Sequence, residues 1–451
     1  MALLPSSADT IFAPATAPGR AGIAVIRLTG AQAGPIVESL TGQLPPPRMA
    51  TLCSLRHGGE VLDKALVLWF VAPASYTGEN MAELHVHGGR AVLQAVTQAL
   101  LELGARMAEP GEFTRRAVMH GKLDLTEAEA VADLVDAETS LQRRQALGQL
   151  GGRLRDLYSG WQNELTRLLA YLEATIDFAE DDLPADLHDR LTGEIQALLG
   201  QIRIHLADGR RGERLRDGIY VAIIGAPNAG KSSLLNRLAA RDVAIVTSIP
   251  GTTRDVLEVA CDIEGYPVTF ADTAGLRETS DVVEAEGVKR AKARAVSADL
   301  KLLVFDATTP LPPDTPTWAQ IDANSLVLLN KCDVAPDTEL HKKLQHACPP
   351  GVPLLPLSAN TGEGFAELLQ AVASRAEQLA GYRETPTLSR ARHRAALEEC
   401  AQSLERACFA ATEDLRAEDV RLASRALGRI MGQVGVEDLL DVIFRDFCIG
   451  K

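Results

Sequence analysis

The sequence has no surplus of positive charge. Its 451 residues carry 46 Lys and Arg against 60 Asp and Glu, a formal net charge of −14. Capture of nucleic acid through bulk charge needs a basic face, so that class is disfavoured, although an acidic total does not exclude a local basic cleft. Cysteine is sparse and unpatterned: Cys53, Cys261, Cys332, Cys348, Cys400, Cys408 and Cys448 are odd in number and include no C-x-x-C. This argues against a disulfide framework or a zinc knuckle and fits a reducing cytosol. No charged leader precedes an apolar stretch, and no apolar run approaches ~18 residues. A cytoplasmic chain that does not span a membrane is therefore expected. Internal repeats and low-complexity tracts are missing too. What is present is an ordinary globular composition, 46% apolar and 24% charged, which excludes wholesale disorder. The length suggests about two to four domains at roughly 100–200 residues each.

Three textures follow one another. Residues 1–120 mix strand-like runs (Ile23–Arg27, Ala65–Phe70, Ala82–His87) with turns, and a helical run covers Ala91–Leu103. This predicts a small α+β domain. From about Leu123 the texture is helical. Thr126 and Glu129 have capping-box spacing. Leu154, Leu157, Tyr158, Trp161, Leu165, Leu168, Leu169, Leu172 and Ile176 fall on one face of a long amphipathic helix. A second helical stretch covers about 186–206. From Gly218 to about residue 380, strands alternate with helices: Tyr220–Ile224, Val268–Ala271, Leu300–Asp306, Leu326–Asn330 and Leu354–Leu357. That pattern predicts a parallel α/β sheet. Helix resumes after Pro386, with Leu397, Cys400, Leu404 and Cys408 on one face. The expectation is an α+β domain (1–120), an all-α domain in two parts (121–216 and 381–451), and an α/β P-loop domain (217–380) inserted between those parts.

Gly225-Ala-Pro-Asn228-Ala229-Gly230-Lys231-Ser232, followed by Ser233, matches G-x-x-x-x-G-K-[ST] after a strand and before a helix. Such a loop closes backbone N–H groups around phosphates. Lys231 neutralises the outer phosphates, and Ser232 can ligate Mg²⁺. Asn330-Lys331-Cys332-Asp333 follows a later strand. A carboxylate at Asp333 accepts two hydrogen bonds from guanine, a donor pair that adenine lacks. Ser358-Ala359-Asn360 would supply backbone donors to the guanine oxygen. Asp272-Thr273-Ala274-Gly275 follows another strand, Asp272 to hold Mg²⁺ through water and Gly275 to meet the γ-phosphate. Gly251 to Asp255 is the switch I candidate, with Thr253 on Mg²⁺. This set resembles the GTPase G-domain family.

Two departures from a Ras-like pattern carry information. Leu276 stands where a water-positioning Gln is usual. Asn228 places an amide oxygen that, with carbonyls of Thr247 and Ile249, would form a hard-oxygen nest for a monovalent cation. On its residues alone, Asn228 reads equally well as a turn residue.

Asn228 together with Thr247-Ser248-Ile249-Pro250-Gly251-Thr252-Thr253 resembles the potassium-activated GTPases of the TrmE–Era group. Ala17–Arg20, Tyr76–Glu79, His87–Gly89, Pro110–Phe113, Lys122–Leu125 and the terminal Cys448-Ile-Gly-Lys451 narrow the resemblance to the tRNA modification GTPases, the MnmE (TrmE) family. It covers essentially the whole chain. It implies a homodimer that works with the FAD enzyme MnmG, in a heterotetramer, to install an aminomethyl-type group on C5 of the tRNA wobble uridine. The FAD belongs to that partner, and the one-carbon unit comes from a tetrahydrofolate derivative (5-formyl- or methylene-type). Folate contacts carried over are Arg27, Glu83, Lys122 and Lys451. K⁺ ligands carried over are Asn228, Thr247, Ile249 and Thr252, and Mg²⁺ ligands are Ser232 and Thr253. Glu284 would act as general base through water, with Lys231 and Cys448 as the other catalytic candidates.

Plainer readings stand beside these. His85 and His87 alternate with Glu83 without a third spaced metal ligand, which favours structural histidines. Glu284 lies in an acidic run from Asp281 to Glu286 and alone reads as surface charge. Cys448 resembles a prenylation box by position only, since Gly450 and Lys451 do not fit it. A GTP-timed RNA or ribosome assembly factor is the alternative function, but the basic appendage that such factors carry is not found. A dimeric scaffold with a regulatory G domain is a third reading.

Overall fold

The computed structural model describes residues 9–177, 187–241, 244, 258–272, 298–309, 315–335, 339–433, 440, 443–444, 447 and 450. The chain divides into two compact units. One is Met1–Ala132 with Leu150–Thr166 and Ser424–Lys451; the other is Asp133–Gln149 with Arg167–Ala423.

The N-terminal part of the first unit is α+β. Its elements are β1 (Ile11–Pro14), β2 (Ala21–Thr29), α1 (Ala33–Thr41), β3 (Thr51–His57), β4 (Glu60–Phe70), β5 (Met81–Gly88), α2 (Arg90–Glu102), β6 (Arg106–Met107) and α3 (Glu112–Met119). They build one sheet in the order β3-β4-β5-β2-β1-β6. Alternation along the strands sorts the faces. Ala24, Ile26 and Leu28 of β2 and Ala82, Leu84 and Val86 of β5 pack with Val37 and Leu40 of α1 and Val96 and Leu100 of α2. Arg27, Glu83 and His85 have the opposite parity and stand on the other face.

Helices follow: α4 (Leu125–Asp136), α5 (Ser140–Leu150), α6 (Arg153–Asp177), α7 (Leu187–Leu206) and α8 (Arg211–Asp217). The capping box at the start of α4 is not Thr126 with Glu129 but Asp124 with Glu127. The Asp124 carboxylate accepts from the Glu127 N–H at 2.8 Å, and the Glu127 carboxylate accepts from the Asp124 N–H at 3.0 Å. Asp is as good an N-cap as Thr, and here the Thr126 hydroxyl donates to Asp124 instead. On α6 the expected stripe is buried at Leu154, Tyr158, Trp161, Leu165, Leu168 and Leu172, but Ile176 is exposed.

The α/β part comprises β7 (Ile219–Gly225), α9 (Lys231–Ala239), β8 (Glu258–Ile263), β9 (Tyr266–Asp272), β10 (Leu300–Asp306), α10 (Thr315–Trp318), β11 (Ser325–Asn330), α11 (Glu339–Ala347), β12 (Leu354–Leu357) and α12 (Phe365–Ala380). The sheet order is β12-β11-β10-β7-β9-β8. It is parallel except for the edge strand β8, which runs antiparallel to β9 and corrects the all-parallel expectation. Leu302, Val304, Leu326 and Leu328 face α9 and α12, while Leu303, Phe305, Val327 and Leu329 face α11. Both faces are covered, as parallel strands require. The C-terminal helices are α13 (Ala391–Cys408) and α14 (Glu413–Met431). Leu397, Cys400 and Leu404 of α13 are buried, and α13 packs on α7. Burial pushes the Cys400 thiol up to about 12, which makes it a packing residue.

Candidate active site

Four strands of the second unit's sheet, β7, β9, β11 and β12, deliver site residues at their C-terminal ends, where open α/β sheets bind ligands. After β7 the chain turns through Ala226–Gly230 and enters α9. Asn228 takes φ +65° and Gly230 φ +98°. Gly230 is obligatory twice over: a Cβ there would lie 2.1 Å from the Asn330 side-chain nitrogen. Ala229 is buried, and Lys231 opens the helix. The Lys231 ammonium donates to the carbonyls of Gly225 and Ala226, each at 2.8 Å, so it lies along the loop it serves. Ser232 and Ser233 follow in the first turn of α9, at the positive end of the helix dipole.

Asp272, the last residue of β9, is buried and accepts a hydrogen bond from the Ser232 hydroxyl at 2.9 Å. This pairs two hard oxygen donors beside the phosphate loop. The pair fits Mg²⁺, which takes one or two protein oxygens and keeps several waters.

Asn330 ends β11 and is 2% exposed. Its side-chain NH₂ donates to the Ala229 carbonyl at 2.8 Å, and its side-chain oxygen accepts from the Ala359 N–H at 2.9 Å. One amide thus staples the phosphate loop to the Ser358–Asn360 loop. Lys331 takes φ +67°, and its ammonium donates to Asp306 at 2.6 Å. Burial raises the Asp306 carboxyl, but Lys331 and the Thr308 hydroxyl and N–H overcome that and hold it below the usual range. The Cys332 N–H donates to the Leu357 carbonyl, tying this loop to β12, while Asp333 is exposed. Ser358 is buried, and its hydroxyl accepts from the Thr361 N–H at 3.0 Å.

Two contributors escape the sequence reading. Asp306 had a usable signal, an acidic residue ending a strand in register with Asn330. Arg237 had none; it lies in the last turn of α9 and donates to the Ala359 carbonyl at 2.7 Å. Thr247, Ser248, Ile249, Pro250, Gly251, Thr252, Thr253, Thr273, Ala274, Gly275 and Glu284 lie outside the described residues.

In the first unit, the structure brings Arg27 and Glu83 together. They are register partners on β2 and β5, and Arg27 Nε donates to Glu83 at 3.0 Å. His85 Nε2 lies 3.3 Å from the other Glu83 oxygen, and the Arg27 guanidinium sits 5.7 Å from the centre of the Tyr76 ring. A carboxylate, a cation and an aromatic ring on one face suit the donor edge, carboxylates and flat ring of a folate. Lys122 is exposed, and its side chain reaches Gly78, two residues from Tyr76. His87 pairs instead with Asp63 at 2.7 Å. No three metal-ligating side chains gather among the described residues. Cys448 and Lys451 lie outside the described residues. Gly450 is described, buried, with φ +99°; a Cβ on it would meet the Pro14 carbonyl at 2.3 Å. Gly450 therefore seats against β1 at Pro14, one position along from Ala13, the register partner of Arg27.

A buried network adjoins this face, joined to it where the Thr29 hydroxyl, two residues beyond Arg27, donates to Glu79 at 3.0 Å. Arg116 donates to Glu79 at 3.1 Å and to Glu112 at 3.0 Å, and Glu112 also takes Arg106 at 2.7 Å. Burial raises the Glu112 carboxyl, but the two guanidinium groups and the Glu109 N–H hold it below its ordinary value. The Tyr76–Glu79 and Pro110–Phe113 motifs thus meet through Arg116.

A glycine-rich loop at a helix start, with the Asn330–Asp333 and Ser358–Asn360 loops two and three strands away, is the layout of a guanine-nucleotide hydrolase: the chain is a P-loop GTPase. A family model described as the MnmE helical domain matches residues 125–448, and one described as the GTP-binding protein TrmE N-terminus matches residues 10–122. A tRNA modification GTPase MnmE of Rhodospirillum rubrum is 54% identical over 98% of this chain and 99% of its own length. Another, of Paramagnetospirillum magneticum, is 54% identical over 98% of this chain and 100% of its own. Among solved structures, the G domain of the T. maritima FeoB iron transporter matches 35% of this chain and 98% of its own at 26% identity, with a TM-score of 0.27. The chain belongs to the MnmE family of tRNA modification GTPases.

Proposed function

We propose that this chain is a K⁺-stimulated GTPase that acts with the FAD protein MnmG. Together they add an aminomethyl or carboxymethylaminomethyl group to C5 of the tRNA wobble uridine. The one-carbon unit comes from a tetrahydrofolate held by the α+β domain. The domains run 1–120, 121–216 with 381–451, and 217–380, the last inserted into the helical one. The protein works in the cytoplasm as a homodimer, and no helix among the described residues is long and apolar enough to cross a membrane.

In the G domain, Lys231 and the α9 N-terminus bind the phosphates, and Ser232, Thr253 and Asp272 serve Mg²⁺. Asp333 and the Ser358–Asn360 loop read guanine. Asn228, Thr247, Ile249 and Thr252 hold K⁺, which would supply positive charge where other GTPases use an arginine finger. Glu284 orients and deprotonates water through a second water. In the α+β domain, Arg27, Glu83, Lys122 and Lys451 hold the folate, with Cys448 beside it.

The observation that carries the coupled reading is Gly450 seated on the Pro14 carbonyl. It supports a site in which the tail and the Arg27–Glu83 face serve one ligand. The test is calorimetric titration of the full chain with 5-formyl-tetrahydrofolate. The intact protein is expected to bind, and Glu83→Gln to weaken binding about tenfold or more, the size of one lost charge-assisted pair. Equal affinity in both proteins would remove Glu83 from the site.

A further inference from the structure

Arg237 forms a clasp that the reading of the base-binding loops does not use. It leaves α9 six residues beyond Lys231 and reaches across to the loop after β12. Its Nε donates to the Ala359 carbonyl at 2.7 Å, and a terminal nitrogen donates to the Asn360 carbonyl. Its guanidinium also lies 5.8 Å from the centre of the Phe365 ring, which Arg241 approaches at 5.0 Å. Phe365 is buried and opens α12 directly behind the loop. Two adjacent carbonyls are therefore held by one planar, permanently charged fork, with an anchored ring fixing the fork.

The remaining hydrogen bonds of the loop show what this does. The Ala359 N–H is taken by Asn330, the Thr361 N–H by the Ser358 hydroxyl, and the Gly362 N–H by the Ser358 carbonyl. Among the described residues the Asn360 N–H has no acceptor. It belongs to the same planar peptide as the Ala359 carbonyl, and in a trans peptide the two groups point in opposite directions. By drawing the carbonyl towards α9, Arg237 turns the Asn360 N–H away from α9.

We propose that Arg237 is a positioning residue for base recognition: it aims the Asn360 N–H at the 6-oxo group of guanine and ties that donor to the helix that binds the phosphates. The proposal rests on the assignment of the Ser358–Asn360 loop to the guanine oxygen. It makes the guanine preference depend on a side chain that never touches the nucleotide.

The test compares GDP with the diphosphate of 2-aminopurine riboside, which keeps the 2-amino group but lacks the 6-oxygen and the N1–H, so that the effect of Arg237 is read as the change each variant makes to each nucleotide. Affinities are measured on the full chain for the wild type, Arg237→Ala and Arg237→Lys. The wild type is expected to prefer GDP. Arg237→Ala is expected to weaken GDP about tenfold, the size of one well-placed hydrogen bond, and to change the 2-aminopurine nucleotide by less than about twofold. Arg237→Lys, which keeps one charged donor, is expected to fall between; if the alanine variant does not fold, the same narrowing of preference in the lysine variant decides. Equal losses for both nucleotides, or an unchanged GDP affinity, would overturn the role of Arg237. A wild type with no preference for GDP would overturn the assignment of the loop, and the proposal with it.

Discussion

At the scale of single residues, the nucleotide site is a set of groups that restrain one another. Asn330 is the clearest case. Both its side-chain nitrogen and its side-chain oxygen are bonded, to the Ala229 carbonyl and the Ala359 N–H, and it is buried. Losing it would orphan a carbonyl and an N–H at once, at a cost of about 1–3 kcal/mol for each buried group. Asp333 differs: it is exposed, and recognition of the base is the role proposed for it. Asp333→Asn is expected to shift preference from guanosine to xanthosine diphosphate by about 10- to 100-fold, because an amide donor then meets the 2-oxo group of xanthine. Competition binding between the two nucleotides checks this, and retained guanine preference would refute the assignment.

At the scale of elements, legibility followed the range of the interactions. The strands β7, β10 and β11 are readable because each is a mostly apolar run with buried residues on both faces. The edge strand β8 is not, because Glu258–Ile263 is half-exposed and mixes acidic with apolar residues. The same holds for β3, whose Leu52 is 72% exposed. The phosphate loop is legible because its chemistry is local: Gly230 and Lys231 must sit together for the strand to turn into α9. The Arg237 clasp is not, since it joins residues 122 apart in sequence. The Arg27–Glu83 pair lies between, because alternation gives both residues one face but only the β2–β5 register makes them partners.

One expectation belongs to the phosphate loop itself. Asn228 holds φ +65°, which Asn tolerates better than most residues because its short side chain bonds locally, so backbone geometry alone is one reason for its presence. The cation reading separates from that one experimentally. Asn228→Ala is expected to abolish the difference in GTP hydrolysis between KCl and NaCl. Nucleotide binding should stay within severalfold. A variant that keeps its K⁺ stimulation would leave Asn228 a turn residue only.

At the scale of the whole molecule, the net charge of −14 acquires a narrower meaning. Family membership requires work on tRNA, yet this chain carries no charge surplus to hold a polyanion by itself. The basic surface must then be local or come from a partner, which agrees with the proposed joint action with MnmG. Nucleoside analysis of bulk tRNA from cells deleted for this protein tests the account most directly. The account expects the C5 modification of wobble uridine to disappear. It should return with the wild-type chain but not with Asp333→Asn, which no longer favours GTP. Unchanged wobble modification in the deletion strain would contradict the account and turn attention to the RNA or ribosome assembly reading.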